Sequence, residues 1–306
     1  MAKFLLHRFL WMLLTLWIVF TISFFLMRSV PGGPFDRERK MDPQIEANLR
    51  ARYRLDEPMW KQYTRCLIST AKGDLGYSFT RADYTVNEVI AQGLPVSASL
   101  GIFAMTIAVG IGLSAGILSA VYRNTTIDHF VMTLATVGIT LPSFVIASLG
   151  IILFVFLLPI FPAGGWGSLR QLILPAFCLG GPYAAYIARL TRTGMLDVLS
   201  QDYIRTAWAK GLRSRTVILK HALKGALLPV VSYLGPAIAG ILTGSLVVEQ
   251  IFFIPGLGAH FIEAATQRDY TLAMGLVLLF TLLLYIMNTL VDITYGMIDP
   301  RVRMDN

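Results

Sequence analysis

Charge is scarce in this chain of 306 residues: only 14% of them are Asp, Glu, Lys or Arg. A soluble domain carries about 25%. Cysteine is scarcer still, with Cys66 in a polar segment and Cys178 in an apolar one, which supplies neither a disulfide framework nor a metal-ligand spacing. No G-x-x-x-x-G-K-[ST] phosphate loop and no H-E-x-x-H pair occurs, so nucleotide binding and zinc hydrolysis on this chain are not expected. Gly110-x-Gly112 lies inside an apolar run with no strand before it and is not a nucleotide loop. These shortages exclude a soluble enzyme, and the 55% hydrophobic content excludes a disordered tail.

The missing charge is concentrated in six stretches. Residues 9–27, 89–122, 129–169, 171–188, 225–248 and 270–291 contain no Asp, Glu, Lys or Arg. A membrane-crossing helix needs about 20 apolar residues, so spans are expected near 9–28, 97–121, 131–158, 171–191, 229–250 and 272–295. Lys3 and Arg8 before the first run suggest a signal peptide. That run exceeds the 7–15 residues typical of a signal's apolar region, and no small-x-small site follows it; a retained span is expected. The fourth is short and interrupted by Gly180-Gly181-Pro182.

The positive-inside rule orients the chain. With both termini cytoplasmic, the inner segments collect Lys3, Arg8, Arg123, the eight basic residues from Arg189 to Lys224, Arg301 and Arg303. The short outer loops hold only Arg170 and Arg268. Omitting the fourth span would put the eight-residue basic cluster outside. Residues 29–95 then form an extracytoplasmic insertion, with helices expected from Asp42-Pro43 through Tyr53 and from Pro58 to Gly73. Gly112-x-x-x-Gly116 and Gly240-x-x-x-Gly244 have small-residue spacing suited to close helix packing.

The segment 199–224 carries the most specific pattern. Asp202 to Lys210 reads as a short helix stopped by Gly211, followed by a return helix that enters the membrane at Leu228-Pro229. Arg205-Thr206-Ala207-x-x-x-Gly211 and Ala226-Leu227-Leu228-Pro229 resemble the cytoplasmic E-A-A-x-x-x-G loop and I-x-L-P of permease subunits of binding-protein-dependent ABC importers. Arg205 replaces Glu, Thr206 replaces Ala and Ala226 replaces Ile. The longer string Ile204 to Leu212, with His221 to Pro229, looks like the peptide/nickel branch, and most like its first oligopeptide permease subunit. Further matching pieces are Pro31-Gly32-Gly33-Pro34-Phe35, Gly73-Asp74-Leu75-Gly76-Tyr77-Ser78-Phe79, Leu94-Pro95-Val96-Ser97, Pro255-Gly256-Leu257-Gly258, Arg268-Asp269-Tyr270 and Asp299-Pro300-Arg301.

The resemblance implies an all-α, six-span importer permease fold over 1–306, with both termini cytoplasmic, in the bacterial inner membrane. It implies no enzyme activity and no cofactor on this chain. The implied partners are a second homologous permease, two ATP-binding subunits, an extracytoplasmic solute-binding protein and membrane lipid, with no nucleic acid. Arg205, Thr206, Ala207, Lys210, Gly211 and Leu212 would couple the chain to the ATPases, with Ala207 approaching the partner closely and basic residues pairing with its acids. Peptide is the expected solute; nickel complexes and glutathione are alternatives within the class.

Polar or helix-breaking residues within spans mark a candidate path, because lipid cannot satisfy them. Pro142, Ser143, Tyr183, Ser245 and Glu249 are the candidates, with Glu249 expected at the outer mouth or against the binding protein. Asp292, in the last turns of the sixth run, is expected to pair with a basic residue such as Arg189 or Arg8. An ion-coupled secondary transporter would need a cluster of buried charges and an inverted repeat with broken helices, and neither is evident.

Overall fold

A computed structural model describes residues 2–29, 44, 54–81 and 83–298. The expected helix over 42–53, the Pro31–Phe35 string, Asp299-Pro300-Arg301 and Arg303 lie outside the described residues. Among those described, the chain is helical with no strand, only an isolated bridge between Tyr77 and Thr85. It divides into two compact units, residues 1–96 with 255–285 and residues 97–254 with 286–306.

The first unit begins with α1 (Ala2–Ser29) and α2 (Met59–Ala71). Pro58 precedes α2, and Gly73 ends the segment with φ +82°, a conformation glycine reaches without a Cβ clash. Tyr63, Cys66 and Leu67 of α2 pack against Phe20 and Phe24 of α1, so this amphipathic helix buries its apolar face on a span. The unit also holds the start of α3 (Val86–Val121), then α10 (Leu257–Thr266) and most of α11 (Tyr270–Ile298). Thr85 and Glu88 form a reciprocal cap at the start of α3: the Thr85 backbone donates to Glu88 Oε2 at 2.8 Å, and Glu88 N donates to Thr85 Oγ1 at 3.2 Å. That cap fixes the helix start.

The second unit continues α3 and adds α4 (Thr126–Thr140), α5 (Ser143–Ile151, continued by a π-helical turn Ile152–Leu157), α6 (Leu169–Leu199), α7 (Asp202–Ala209), α8 (Ser214–Ala226) and α9 (Leu228–Ile251). Among the described residues, four helices, α1, α3, α6 and α11, are long and apolar enough to cross a membrane. Two bent pairs, α4 with α5 and α8 with α9, raise the number to the expected six when each pair is one span.

Two expectations change in form. The run 131–158, read as one span, is folded at Leu141-Pro142 through 109°. Leu141 (ψ 128°) and Pro142 (ψ 146°) are both extended, since a residue before proline is pushed from the helical region and proline lacks the N–H to continue the ladder. Each arm is then about 22 Å long. Conversely, Gly180-Gly181-Pro182 does not interrupt the fourth span. α6 runs unbroken through it and through Pro175. A Cβ at Gly180 would lie 2.5 Å from the Ala104 carbonyl oxygen, so this glycine lets α3 and α6 meet backbone to backbone.

Candidate functional site

The pattern around Ala207 and Gly211 becomes one local structure. α7 ends with Gly211 N donating to Trp208 O (2.9 Å) and Leu212 N donating to Ala207 O (3.4 Å), with Gly211 at φ +76°. This is a Schellman cap, in which the left-handed residue falls four positions after the residue whose carbonyl closes the outer bond. The A-x-x-x-G spacing is therefore the spacing of a helix stop. Thr206 Oγ1 donates to Asp202 O at 3.0 Å, keeping its hydroxyl on its own helix.

α7 has two faces. Ile204 and Ala207 are buried, packed in a cluster with Ala120 of α3, Met195 of α6, and Val217, Ala222 and Ala226 of α8. Tyr203, Arg205, Trp208, Lys210 and Leu212 are exposed. Arg205 pairs with Asp202 on the same helix, at 3.5 Å and with both side chains well exposed, a geometry of small energetic weight. Ala207 corrects the sequence reading. Its small side chain does not face outward for a partner but is the foot by which α7 stands on its own chain, because Ile204 and Ala207 are one turn apart. The surface left for a partner is Tyr203, Arg205, Thr206, Trp208 and Lys210, aromatic and basic.

A π-helical turn, Val217–Ala222, links α7 to α9 and buries Val217 and Ala222 against the same cluster. Gly194 of α6 admits α8 closely, since a Cβ there would sit 2.7 Å from the Ala226 carbonyl oxygen. Met195, Gly194 and the α8 residues thus hold α7 from below.

The five path candidates lie on three elements. Pro142 and Ser143 form the α4–α5 corner, Tyr183 is on α6, and Ser245 and Glu249 lie one turn apart on α9. α5 packs against both α6 and α9, which puts these elements side by side. Tyr183 is half-buried with its hydroxyl 2.7 Å from where a Cβ of Gly240 would be, and the rings of Tyr186 and Tyr233 meet at 4.4 Å, tilted by 31°. Ser245 and Glu249 are buried. Ser97 Oγ donates to Glu249 Oε1 at 2.7 Å, so Glu249 is a bond between α3 and α9, not an exposed group at a mouth. A groove of about 390 Å³ beside the corner is lined by Ile107, Leu134, Gly138, Ile146, Phe177 and other apolar residues, and offers a peptide no hydrogen-bonding side chain.

Two polar clusters were not singled out from sequence. In the first unit, Asp269 is fully buried and accepts from Ser78 Oγ, from Thr80 N (3.0 Å) and from Leu272 N (3.0 Å). The Gly73–Phe79 and Arg268–Tyr270 strings, far apart in sequence, are thereby one knot, with Phe79 edge-on to Tyr270. Arg81 pairs with Glu263 at 2.6 Å beside it. In the second unit, Arg192 Nε and Nη2 donate to Asp128 Oδ1 (2.7 Å) and Oδ2 (2.8 Å). Ser119 Oγ and Asn124 N (2.8 Å) donate to the same carboxylate. The acid in the first turn of α4 was visible in the sequence; that α4 lies against α6 was not.

Comparison with known proteins gives consistent matches. Residues 112–304 match the family model described as binding-protein-dependent transport system inner membrane component. The chain is 48% identical over 305 residues to the oligopeptide transport system permease protein OppB of Escherichia coli (strain K12), covering 99% of this chain and 100% of that one. It is 44% identical over 304 residues to the dipeptide transport system permease protein DppB of Bacillus subtilis (strain 168), covering 99% of each. Among solved structures, a chain of the MetNI methionine ABC transporter in an inward-facing conformation matches with a TM-score of 0.57 at 18% identity, over 69% of this chain and 96% of that one. That likeness concerns the fold.

Proposed function

The chain belongs to the binding-protein-dependent transport system inner membrane components, and from this premise we propose that it forms half of the translocation path of an ATP-driven importer of oligopeptides or dipeptides. A multi-pass inner-membrane protein of this family needs partners for the rest of the cycle. A homologous permease closes the path, two ATP-binding subunits drive it, and an extracytoplasmic binding protein delivers the solute. Both termini and the segment 199–224 face the cytoplasm in this reading, supported by the basic residues gathered there.

One observation carries the mechanism: α7 is a short capped helix, seated by Ile204 and Ala207 on a cluster drawn from α3, α6 and α8, with an aromatic and basic face turned outward. A cleft in an ATP-binding subunit with acidic groups at its rim would take Tyr203 and Trp208 as apolar anchors, while Arg205 and Lys210 set orientation. Closure of the two ATPases on ATP then displaces α7, and the spans beneath it follow. Hydrolysis releases the ATPases and returns the membrane part to its starting arrangement.

The test is uptake of labelled di- and oligopeptides by proteoliposomes holding the permease pair, its ATPases and its binding protein. ATP-dependent accumulation that requires the binding protein is expected. Accumulation driven by an ion gradient without ATP would sink the reading.

A further inference from the structure

We propose that the Asp128–Arg192 pair, a buried carboxylate and a partly exposed guanidinium, is a clamp that makes the end of α3, the α3–α4 turn and α6 move as one body beneath α7. Asp128 and Arg192 are then positioning residues for energy transfer. This inference rests on the permease reading above. The Asp128 carboxylate is buried, and its two oxygens accept four hydrogen bonds from three segments: Ser119 on α3, Asn124 in the turn, and both arms of Arg192 on α6. Fork-to-fork geometry of this kind fixes two groups in distance and in plane.

Stability alone is a weak explanation for such a pair. Asp128 is taken out of water, while the Arg192 side chain stays 25% exposed, so the desolvation cost falls mainly on the carboxylate, and apolar residues of like volume often serve a fold as well. What the pair adds is register, because only one axial position of α4 against α6 satisfies both bonds.

Its place gives that register a use. Ala120 follows Ser119, and Met195 lies one turn beyond Arg192; these two residues, with Val217, Ala222 and Ala226 of α8, belong to the cluster that buries Ile204 and Ala207. The helix ends that hold the clamp therefore also hold α7. Away from that end, α3 and α6 remain in backbone contact. A Cβ at Gly116 would lie 2.6 Å from the Ala188 carbonyl oxygen, and one at Gly112 would lie 2.7 Å from that of Ala184. At these two glycines the helix backbones approach with no Cβ of α3 between them. A push on α7 is passed along a stiff pair of helices, and the clamp ties α4 to that pair.

Two variants separate this role from a merely structural one. Arg192→Lys keeps the charge but cannot bond both oxygens, and Asp128→Leu with Arg192→Met replaces the pair by apolar groups. In the reconstituted importer both should assemble and hydrolyse ATP, while peptide taken up per ATP falls about tenfold, within the usual range of coupling between sites. An unchanged ratio, or a loss of uptake matched by an equal loss of assembled complex, would overturn the clamp. A second readout needs no transport: spin labels at Leu134→Cys on α4 and Ile173→Cys on α6, with Cys66 and Cys178 replaced by Ala. The distance distribution should be narrow in the parent and broad in both variants; equal widths also overturn the clamp. If the parent importer shows no ATP-driven uptake, the permease reading fails, and the label distances still decide the clamp.

Discussion

Gly211 shows how much one residue position can carry. Its φ of +76° costs an L-residue about 1–2 kcal/mol, and its N–H closes the inner bond of the cap. Gly211→Ala keeps that N–H and should weaken uptake only partly, with normal membrane insertion, as measured by peptide uptake per inserted complex. Glu249 makes a different demand. Glu249→Gln keeps an acceptor for Ser97 and should preserve the assembled complex. Glu249→Leu removes the buried bond between α3 and α9 and should lower the yield of the complex in detergent extracts. Cys66 reports on packing. Burial raises its thiol above the ordinary value, partly offset by nearby Arg28, and only the thiolate reacts. At pH 7.5 a soluble maleimide should label it more slowly than a free cysteine, and the rate should still be climbing at pH values where a free thiol has reached its plateau. Labelling as fast as free cysteine at pH 7.5 would show that α2 does not pack on α1 as described.

At the scale of elements, the sequence was most legible where a local rule sufficed. Charge-free runs marked the spans, Pro58 and Gly73 bracketed α2, and the A-x-x-x-G spacing marked the end of α7. It was least legible where tertiary neighbours decided. The bend at Pro142 was readable as a kink, but its 109° angle follows from two successive extended residues, which hydropathy does not encode. Gly180-Gly181-Pro182 had the composition of a break, yet α6 is continuous, and α3 packs against its backbone at Gly180. Ala207 was assigned outward on its small size, whereas the turn shared with Ile204 and the cluster beneath them turn it inward. Asp269 and Asp128 stayed invisible as centres because their partners, Ser78 and Arg192, are distant in sequence. The seat of α7 yields a prediction at this scale. Ile204→Asp should put a charge into an apolar cluster and detach α7, so the six spans insert normally while peptide-stimulated ATP hydrolysis is lost. Arg205→Ala, on the exposed face, should change ATPase affinity by less than about 1 kcal/mol, measured by titrating the ATP-binding subunits onto the reconstituted permease pair.

For the molecule as a whole, the scarcity of charge and its placement serve one purpose. The spans are left apolar, the polar knots at Asp269 and Asp128 tie helices together, and the basic excess gathers around a helix that presents it outward. In the proposed function, chemical energy is delivered from outside the membrane part through α7. The most direct measurement is peptide accumulated per ATP hydrolysed in proteoliposomes, taken side by side for the parent chain and for Gly211→Pro. Proline fixes φ near −65° and removes the N–H that Trp208 O accepts. The parent should accumulate peptide only with ATP, and Gly211→Pro should hydrolyse ATP with no accumulation. Equal accumulation per ATP in the two would contradict coupling through α7.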